Sequence, residues 1–490
     1  MNRACFVCLF LLLTATFMLS QSNPVPRLNQ THNGRFRTAS RHAGSTQTSG
    51  LNFAPAVAYD SGGAYAISVA VADVNGDGKP DLVVANGFAS NSNYANGTVG
   101  VLLGNGDGTF QTALTYGSGG YNAESVAIAD VNGDGHSDLV VANDCQSVDE
   151  SGRCEGPGVV SVLLGNGDGT FQTAVTYDSG GAEALSVAVS DLNDDGNPDL
   201  VVANRNSNDV GVLLSNGDGT FQTAVTHGSG GGIAYSAAVA DVNGDGKPDV
   251  VVANFEGFPG NDDGTVGVLL GNGDGTFQTA VAYDAGQSWS VSIAVADVNG
   301  EGKPDLEVEY YGFNTVGVLL GNGDGTFQTA MLYGTGGGYS AFAVAVGDVN
   351  GDGKPDLLVA NGWGESNGDG SVGVLINTSL GPTTTTLASS PNPSGFTQAV
   401  TFTAAVTSQF FKFQPTGTVS FYDGATNIGN SNLNGSGVAT LTISTLAVGT
   451  HSITAVYNGD ANFLPSTSLV LYQIVQGAIA VFSPTRACSH

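Results

Sequence analysis

The chain has 490 residues, enough for two or three domains, and its 41% hydrophobic content is that of a folded protein. Acidic residues outnumber basic ones 43 to 13, a formal charge of −30. Such a surface repels nucleic acid and anionic membranes and attracts cations, so nucleic-acid binding is set aside.

The N-terminus, "MNRACFVCLFLLLTATFMLSQSNP", places Arg3 before an apolar run from Ala4 to Leu19 and small residues Ser20 and Ser22 after it. That order predicts a secretory signal peptide over residues 1–22, and residues 23–50 read as a polar, flexible segment. No later run is apolar enough to span a bilayer, so the expected mature protein is a monomer, secreted or held at the cell surface. Cys5 and Cys8 leave with the signal peptide, Cys145 and Cys154 are expected to close a local disulfide, and Cys488 has no visible partner.

From residue 51 one unit recurs. The stretch "DVNGDGKPD" begins at Asp73, and close copies begin at Asp130, Asp191, Asp241, Asp297 and Asp348. A second signature, "GNGDGTFQTA" at 104–113, returns in close form at 165, 215, 271 and 321. Each unit reads as four strands, in the first copy "SVAVADV" (68–74), "DLVVAN" (81–86), "TVGVLLGN" (98–105) and "FQTALTY" (110–116). No segment of this region carries a helical period. Four-stranded units of this length pack radially, which predicts an all-β chain with a β-propeller of six blades, seven being the alternative. The segment "LNFAPAVAYDSGG" (51–63) matches a fourth strand, and the last unit ends at its third, "SVGVLINTS" (371–379). Residues 53–59 are therefore expected to supply the missing strand and close the ring.

The acidic loop between the first and second strands offers oxygens at positions 1, 3, 5 and 9, a backbone carbonyl at 7 and glycine at 6 for the sharp turn. Calcium takes six to eight hard oxygen ligands in flexible geometry, whereas transition metals want the His or Cys that do not recur here. An EF-hand is excluded, because its closing Glu would fall on Val84 and its flanks would be helices. Up to six Ca²⁺ ions are expected. The sets are Asp73, Asn75, Asp77 and Asp81; Asp130, Asn132, Asp134 and Asp138; Asp191, Asn193, Asp195 and Asp199; Asp241, Asn243, Asp245 and Asp249; Asp297, Asn299, Glu301 and Asp305; and Asp348, Asn350, Asp352 and Asp356. Glu301 replaces an aspartate, and its longer arm is expected to weaken the fifth site. The "GNGDG" turns lack a carboxylate at position 1 and read as plain turns.

These residues resemble the FG-GAP/VCBS repeat family, bacterial relatives of the integrin α-chain propeller, over roughly residues 52–378. The resemblance implies a calcium-binding hairpin in each blade, export, and adhesion or ligand recognition; integrin propellers have seven blades where the repeat here gives six. Residues 381–476, with "GTVSFYDGATNIG" and "GVATLTISTLAVGTHSITAVYNGDANFLPSTS", resemble a bacterial Ig-like β-sandwich, and 477–490 form a tail. The domain plan is thus a propeller over 51–380 followed by this sandwich.

Loops between the second and third strands vary among the copies, while the acidic loops and Asn-Gly-Asp-Gly turns hardly do. The variable side also receives the segments entering each first strand, with Tyr65, Tyr121, Tyr235, Trp289 and Tyr339, and Glu183 in the third copy. Such aromatics either stack a sugar or anchor a peptide, or pack between blades. The expected function is a non-catalytic adhesion or recognition module for a glycan or a surface protein. The alternatives are a structural spacer and a calcium-dependent polysaccharide-degrading enzyme; no H-E-x-x-H is present. Glu307 and Glu309, in "DLEVEYYGF", break the "DLVVAN" pattern, and a local loss of strand burial explains them as well as catalysis does.

Overall fold

The structure, a computed structural model, describes residues 59–89, 96–150, 152–257, 263–336, 341–361, 371–408 and 414–477. The expected signal peptide, the flexible segment, most of the closing strand, Tyr339, Cys488 and the tail lie outside them. Two compact units emerge: one comprises the chain to Ala296 with 304–350 and 357–375, the other 297–303, 351–356 and the chain from Ile376. The described residues hold strands and no helix.

The first unit is a succession of six antiparallel repeat sheets. The third repeat is typical, with strands Ala184–Ser190, Asp199–Asn204, Asp209–Leu213 and Val225–Gly228 paired in that order. The first two sheets are joined, because Leu114–Ala129 runs without a break from the fourth strand of one into the first strand of the next. Among the described residues the sixth sheet has three strands, ending at Ser371–Leu375. Fourth strands begin later than the pattern suggests, at Leu114 and Val175 in the first two repeats. The preceding Phe110 instead bridges to Gly104 and closes the turn, as Phe171 does to Gly165.

Second strands are near-continuous apolar runs because both faces of each sheet are covered by its neighbours; Asp199–Asn204 is buried throughout. First strands are built of Ala, Ser and Val, which lets each lie against the next. The hydroxyls of Ser68, Ser125, Ser186 and Ser292 accept the backbone N–H of Val126, Val187, Ala237 and Val344 in the following sheet.

A second device joins neighbours further out. At four of these junctions a Ser or Thr reaches the Asn that ends the next second strand: Ser61 to Asn86, Ser118 to Asn143, Ser179 to Asn204, and Thr335 to Asn361, at 2.6–2.9 Å, while Ser229 turns its hydroxyl to the Asn208 carbonyl and takes the Asn254 amide on its own carbonyl. The carbonyl of Ser179 sits so close to Gly211 that a Cβ there would lie 1.8 Å from it, and Gly100 and Gly267 meet Ser61 and Ser229 in the same way. The second repeat has Ser161 at this position, bonded to Asn143. In the fifth repeat both partners change together, Ala285 replacing the Ser and Tyr310 the Asn, and the Tyr310 hydroxyl donates to the Ala285 carbonyl.

Fourth strands also carry a ring that leans on the Phe of the next turn. Tyr116, Tyr177 and Tyr283 meet Phe171, Phe221 and Phe327 edge-on at 5.7, 5.5 and 5.6 Å. Tyr59 meets Phe110 likewise at 5.4 Å, so a residue preceding the first repeat supplies the ring that the fourth strands supply elsewhere.

The second unit packs the sheet of Thr384–Ser390, Val400–Thr407 and Val438–Ile443 against a larger one containing Thr418–Asp423, Gly449–Tyr457 and Leu471–Gln476. Phe402, Phe421, Tyr457 and Phe463 fill the space between them, the arrangement of an Ig-like sandwich without a core disulfide.

Gly211→Ala should cost at least ~2 kcal/mol, because backbone rather than a flexible side chain must move. Gly117→Ala, whose Cβ meets nothing within 4 Å, should stay within ~0.5 kcal/mol. Urea unfolding of the two variants beside the parent protein checks this.

Candidate functional site

The acidic loops form one end of the sheets. In the first, Asp73 accepts the N–H groups of Gly76, Asp77 and Gly78, Asn75 accepts Asp77, and Asp77 accepts Lys79. Asp130, Asp191 and Asp241 organise their loops the same way. The fifth loop keeps this form despite Glu301, whose N–H reaches Asp297 and Asn299. In the sixth, Asp352 accepts the Lys354 N–H.

The position-9 aspartates behave differently from the exposed ones. Asp81 is fully buried, and its two oxygens accept the N–H of Val74 and of Gly104, pinning the loop to the third strand. Asp138, Asp199 and Asp249 repeat this pair of bonds. Asp305 and Asp356 accept Gly321 and Asn377. Burial, and then the neighbouring loop aspartates, push the carboxyls of Asp138, Asp199 and Asp249 above the usual range.

Among the described residues no three carboxylates, cysteines or histidines gather as a metal cluster. The donors are nonetheless all hard oxygens, and an oxygen that accepts one N–H keeps a lone pair for a cation. In the second, third and fourth loops the aspartates repel one another with no lysine ion pair like the one Lys79 makes to Asp77 at 3.1 Å. The donor set therefore fits calcium in chemistry and charge. The Asn-Gly-Asp-Gly turns are self-contained: Asp107 accepts both the N–H and the hydroxyl of Thr109.

The opposite end of the sheets is built on strain. Tyr65, Asn122, Glu183, Ile233 and Trp289 occupy one position in five successive repeats, and each has φ between 54° and 66°. Two residues later the pairing to the second strand slips, between Ala66 and Ser68 and at the same place in the next four repeats. A left-handed residue followed by a bulge re-aims side chains, and it persists only where the surroundings enforce it. The side chains so placed, with those just after each second strand, divide into two sectors.

The polar sector lies in the second and third repeats. Asn122 Nδ2 donates to Glu124 and to Asp144, and Arg205 stands 3.6 Å from Glu183. Glu124 is buried, and that burial, then Asp144, holds its carboxyl well above the usual range. Burial raises Asp144 to about 7. Tyr235 adjoins this group, since its hydroxyl feels the charges of Glu124, Arg205 and Asp144.

From Tyr235 an aromatic sector continues. Phe255 is stacked between Tyr235 and Trp289, with centroids 6.0 and 5.9 Å away, and Tyr311 and Phe313 flank Trp289 at 6.3 and 5.9 Å. Phe342 extends the arc beyond Tyr311. Trp289 and Tyr311 are each 39% exposed. Of the predicted aromatics, Tyr235 and Trp289 join this arc, whereas Tyr65 and Tyr121 pack on Phe88 in a separate cluster between repeats. Phe255, Tyr311, Phe313 and Phe342 escape a reading that follows only the entry to each first strand. The signal for Phe255 and Tyr311 is the residue following Asn254 and Tyr310, which is Gly87 in the first repeat.

Cys145 and Cys154 are bonded and close the hairpin of Ser147–Val148 with Cys154–Glu155 beside the polar sector. Glu307 and Glu309 are corrected: strand burial is not lost there. Both are fully buried, on the face of the fifth sheet that Ser292 turns to the sixth, and none of their four oxygens has a partner.

Residues 73–141, 147–202, 191–252, 241–308 and 310–359, together more than half of the chain, match the FG-GAP-like repeat. The chain belongs to the FG-GAP-like repeat family. A narrower FG-GAP repeat match covers 122–163 of this FG-GAP-like chain, and residues 386–476 match the bacterial Ig-like domain, group 3. The first unit is thus a β-propeller of FG-GAP-like sheets. No curated protein matches the sequence. Among solved structures, the V. cholerae biofilm matrix protein Bap1 is 15% identical over 72% of this chain and 66% of its own, with a TM-score of 0.34. This chain therefore spans just under two thirds of that protein. The exotype rhamnogalacturonan lyase YesX is 14% identical over 84% and 73%, with a TM-score of 0.37. The Pseudomonas aeruginosa periplasmic gluconolactonase PpgL is 13% identical over 80% and 96%, with a TM-score of 0.41. Likeness at this level carries no argument about activity.

Glu309 gives a pH test. Burial raises its carboxyl from the ordinary 4.5 to about 9. The unfolded chain therefore loses this proton first, and the side chain costs stability increasingly as pH rises from about 4.5 to 9. Glu309→Ala, the residue of the other repeats, should gain on the parent protein with rising pH, by up to ~1.4 kcal/mol per unit. Equal melting differences at pH 5 and pH 8.5 would contradict this.

Proposed function

We propose that this protein is an exported recognition module that binds a glycan at the strained end of its sheets and holds its acidic loops with calcium. The observation that carries the reading is the exposed face of Trp289 and Tyr311, continuous with Phe255 and Tyr235 and bordered by Asn122, Asp144, Glu183 and Arg205. Flat rings match the apolar face of a sugar, and amide, carboxyl and guanidinium groups at their edge match its hydroxyls. A recognition surface of this kind suits adhesion to a polysaccharide matrix.

Retention of the mature protein on immobilised polysaccharides and surface proteins tests the reading. A glycan should be retained, and Trp289→Ala should weaken it at least tenfold, about 1.4 kcal/mol, in a variant that still unfolds cooperatively above the assay temperature. Retention on proteins alone, or no effect of Trp289→Ala, would overturn it.

Calcium acts on the opposite end. A site filled at a hundredfold excess over its Kd contributes ~2.7 kcal/mol to the folded state, so excess chelator should lower Tm by several degrees. An unchanged melting curve would remove calcium from the account.

One observation favours a second reading, a polysaccharide-degrading enzyme. Glu124 and Asp144 share the Asn122 amide, and burial raises both carboxyls, as a general acid held protonated near neutral pH needs. New reducing or unsaturated ends released from a bound polysaccharide, and lost in Asp144→Asn, would favour it.

A further inference from the structure

The fourth strand of the third repeat departs from its neighbours at one residue. Where Tyr177 and Tyr283 donate their hydroxyls to the carbonyls of Gly219 and Gly325 in the next turn, the third repeat has His227. The imidazole keeps the edge-on contact, 5.4 Å from Phe277, but it cannot reach the equivalent Gly275. Its Nε2 is closed off from water and has no partner.

A cavity of about 900 Å³ opens beside it, between the third and fourth repeats. This lies at the upper end of the ~300–1,000 Å³ usual for ligand sites. His227, Thr226, Phe277 and Gln278 line it, with Asn206; so do Arg205, Ile233 and Glu256. These three belong to the strained end already described: Arg205 faces Glu183, Ile233 precedes Tyr235 by two residues, and Glu256 follows Phe255. The wall is fixed before any ligand arrives, because Asn208 accepts the Ile233 N–H at 2.6 Å and its carbonyl takes the N–H and hydroxyl of Ser229.

We infer that this groove is a second saccharide subsite, continuing the aromatic arc, and that the ligand is a linear neutral glycan of several residues rather than a single terminal sugar. The inference rests on the glycan reading above. Amides and a hydroxyl over an aromatic floor offer donors and acceptors in turn, as a row of sugar hydroxyls requires. Burial holds the His227 imidazole down, so it adds no charge to the groove wall near neutral pH. Arg205, the one cationic side chain among the lining residues, is paired with Glu183, so no free cation is left for an acidic saccharide to answer.

The test is calorimetric titration of the mature protein, in calcium, with β-linked hexasaccharides of glucose, xylose, mannose and galactose and with the matching disaccharides. At least one hexasaccharide should bind ten times or more tighter than its disaccharide. His227→Tyr restores the residue of the neighbouring repeats and fills the groove, and it should remove that length gain while leaving disaccharide binding intact. Gln278→Ala, whose backbone rather than side chain bonds Leu270, should reduce the gain several-fold. Trp289→Ala should weaken both lengths. A full length gain retained in both groove variants would overturn the subsite and leave the aromatic site standing. Absence of binding to every saccharide by the folded protein would overturn both.

Discussion

The approach of the Ser179 carbonyl to Gly211, repeated between other neighbouring sheets, is the contact on which the first unit depends. A repeat sheet alone would expose apolar surface on both faces, since its second strand is apolar on both sides. Each sheet is therefore stable only when docked, and docking at this distance tolerates no side chain between carbonyl and strand; the second repeat, with Ser161 at this position, instead bonds that hydroxyl to Asn143. The Ser-to-Asn bonds and the Ser hydroxyls between first strands then set the register of one sheet on the next. Stability is a property of successive interfaces, as in other repeat proteins.

Much of this was legible in the sequence. The two recurring signatures mark the turns, the apolar runs mark the second strands, and the absence of a helical period gives the all-β class. The docking contacts were not legible, because they join residues some 25 positions apart whose types, Ser, Asn and Gly, read locally as turn formers. The fifth repeat illustrates the point. Ala285 and Tyr310 look like two unrelated departures until the structure shows one hydroxyl replacing the hydrogen bonds of a Ser and an Asn.

The candidate site was half legible. Repetition reveals what the copies share, and so it found the acidic loops. A ligand site in a repeat protein is made of what they do not share. Trp289 and Tyr235 stood out as aromatics, but Glu124 and Asp144 are ordinary residues in sequence and become a group only because Asn122, in a left-handed conformation, lies between them. Strain in five successive repeats at one end, and regular Asx-bonded loops at the other, divide the sheets into an adaptable end and a constant one.

That division is the central claim, and hydrogen–deuterium exchange on the calcium-loaded protein, with and without a retained polysaccharide, tests it most directly. The account predicts slowed exchange confined to segments around Asn122, Glu183, Tyr235, Phe255, Trp289 and Tyr311 and to the groove segments around His227 and Gln278, with the acidic loops unchanged. Protection centred on the acidic loops or on the Ig-like unit would contradict it.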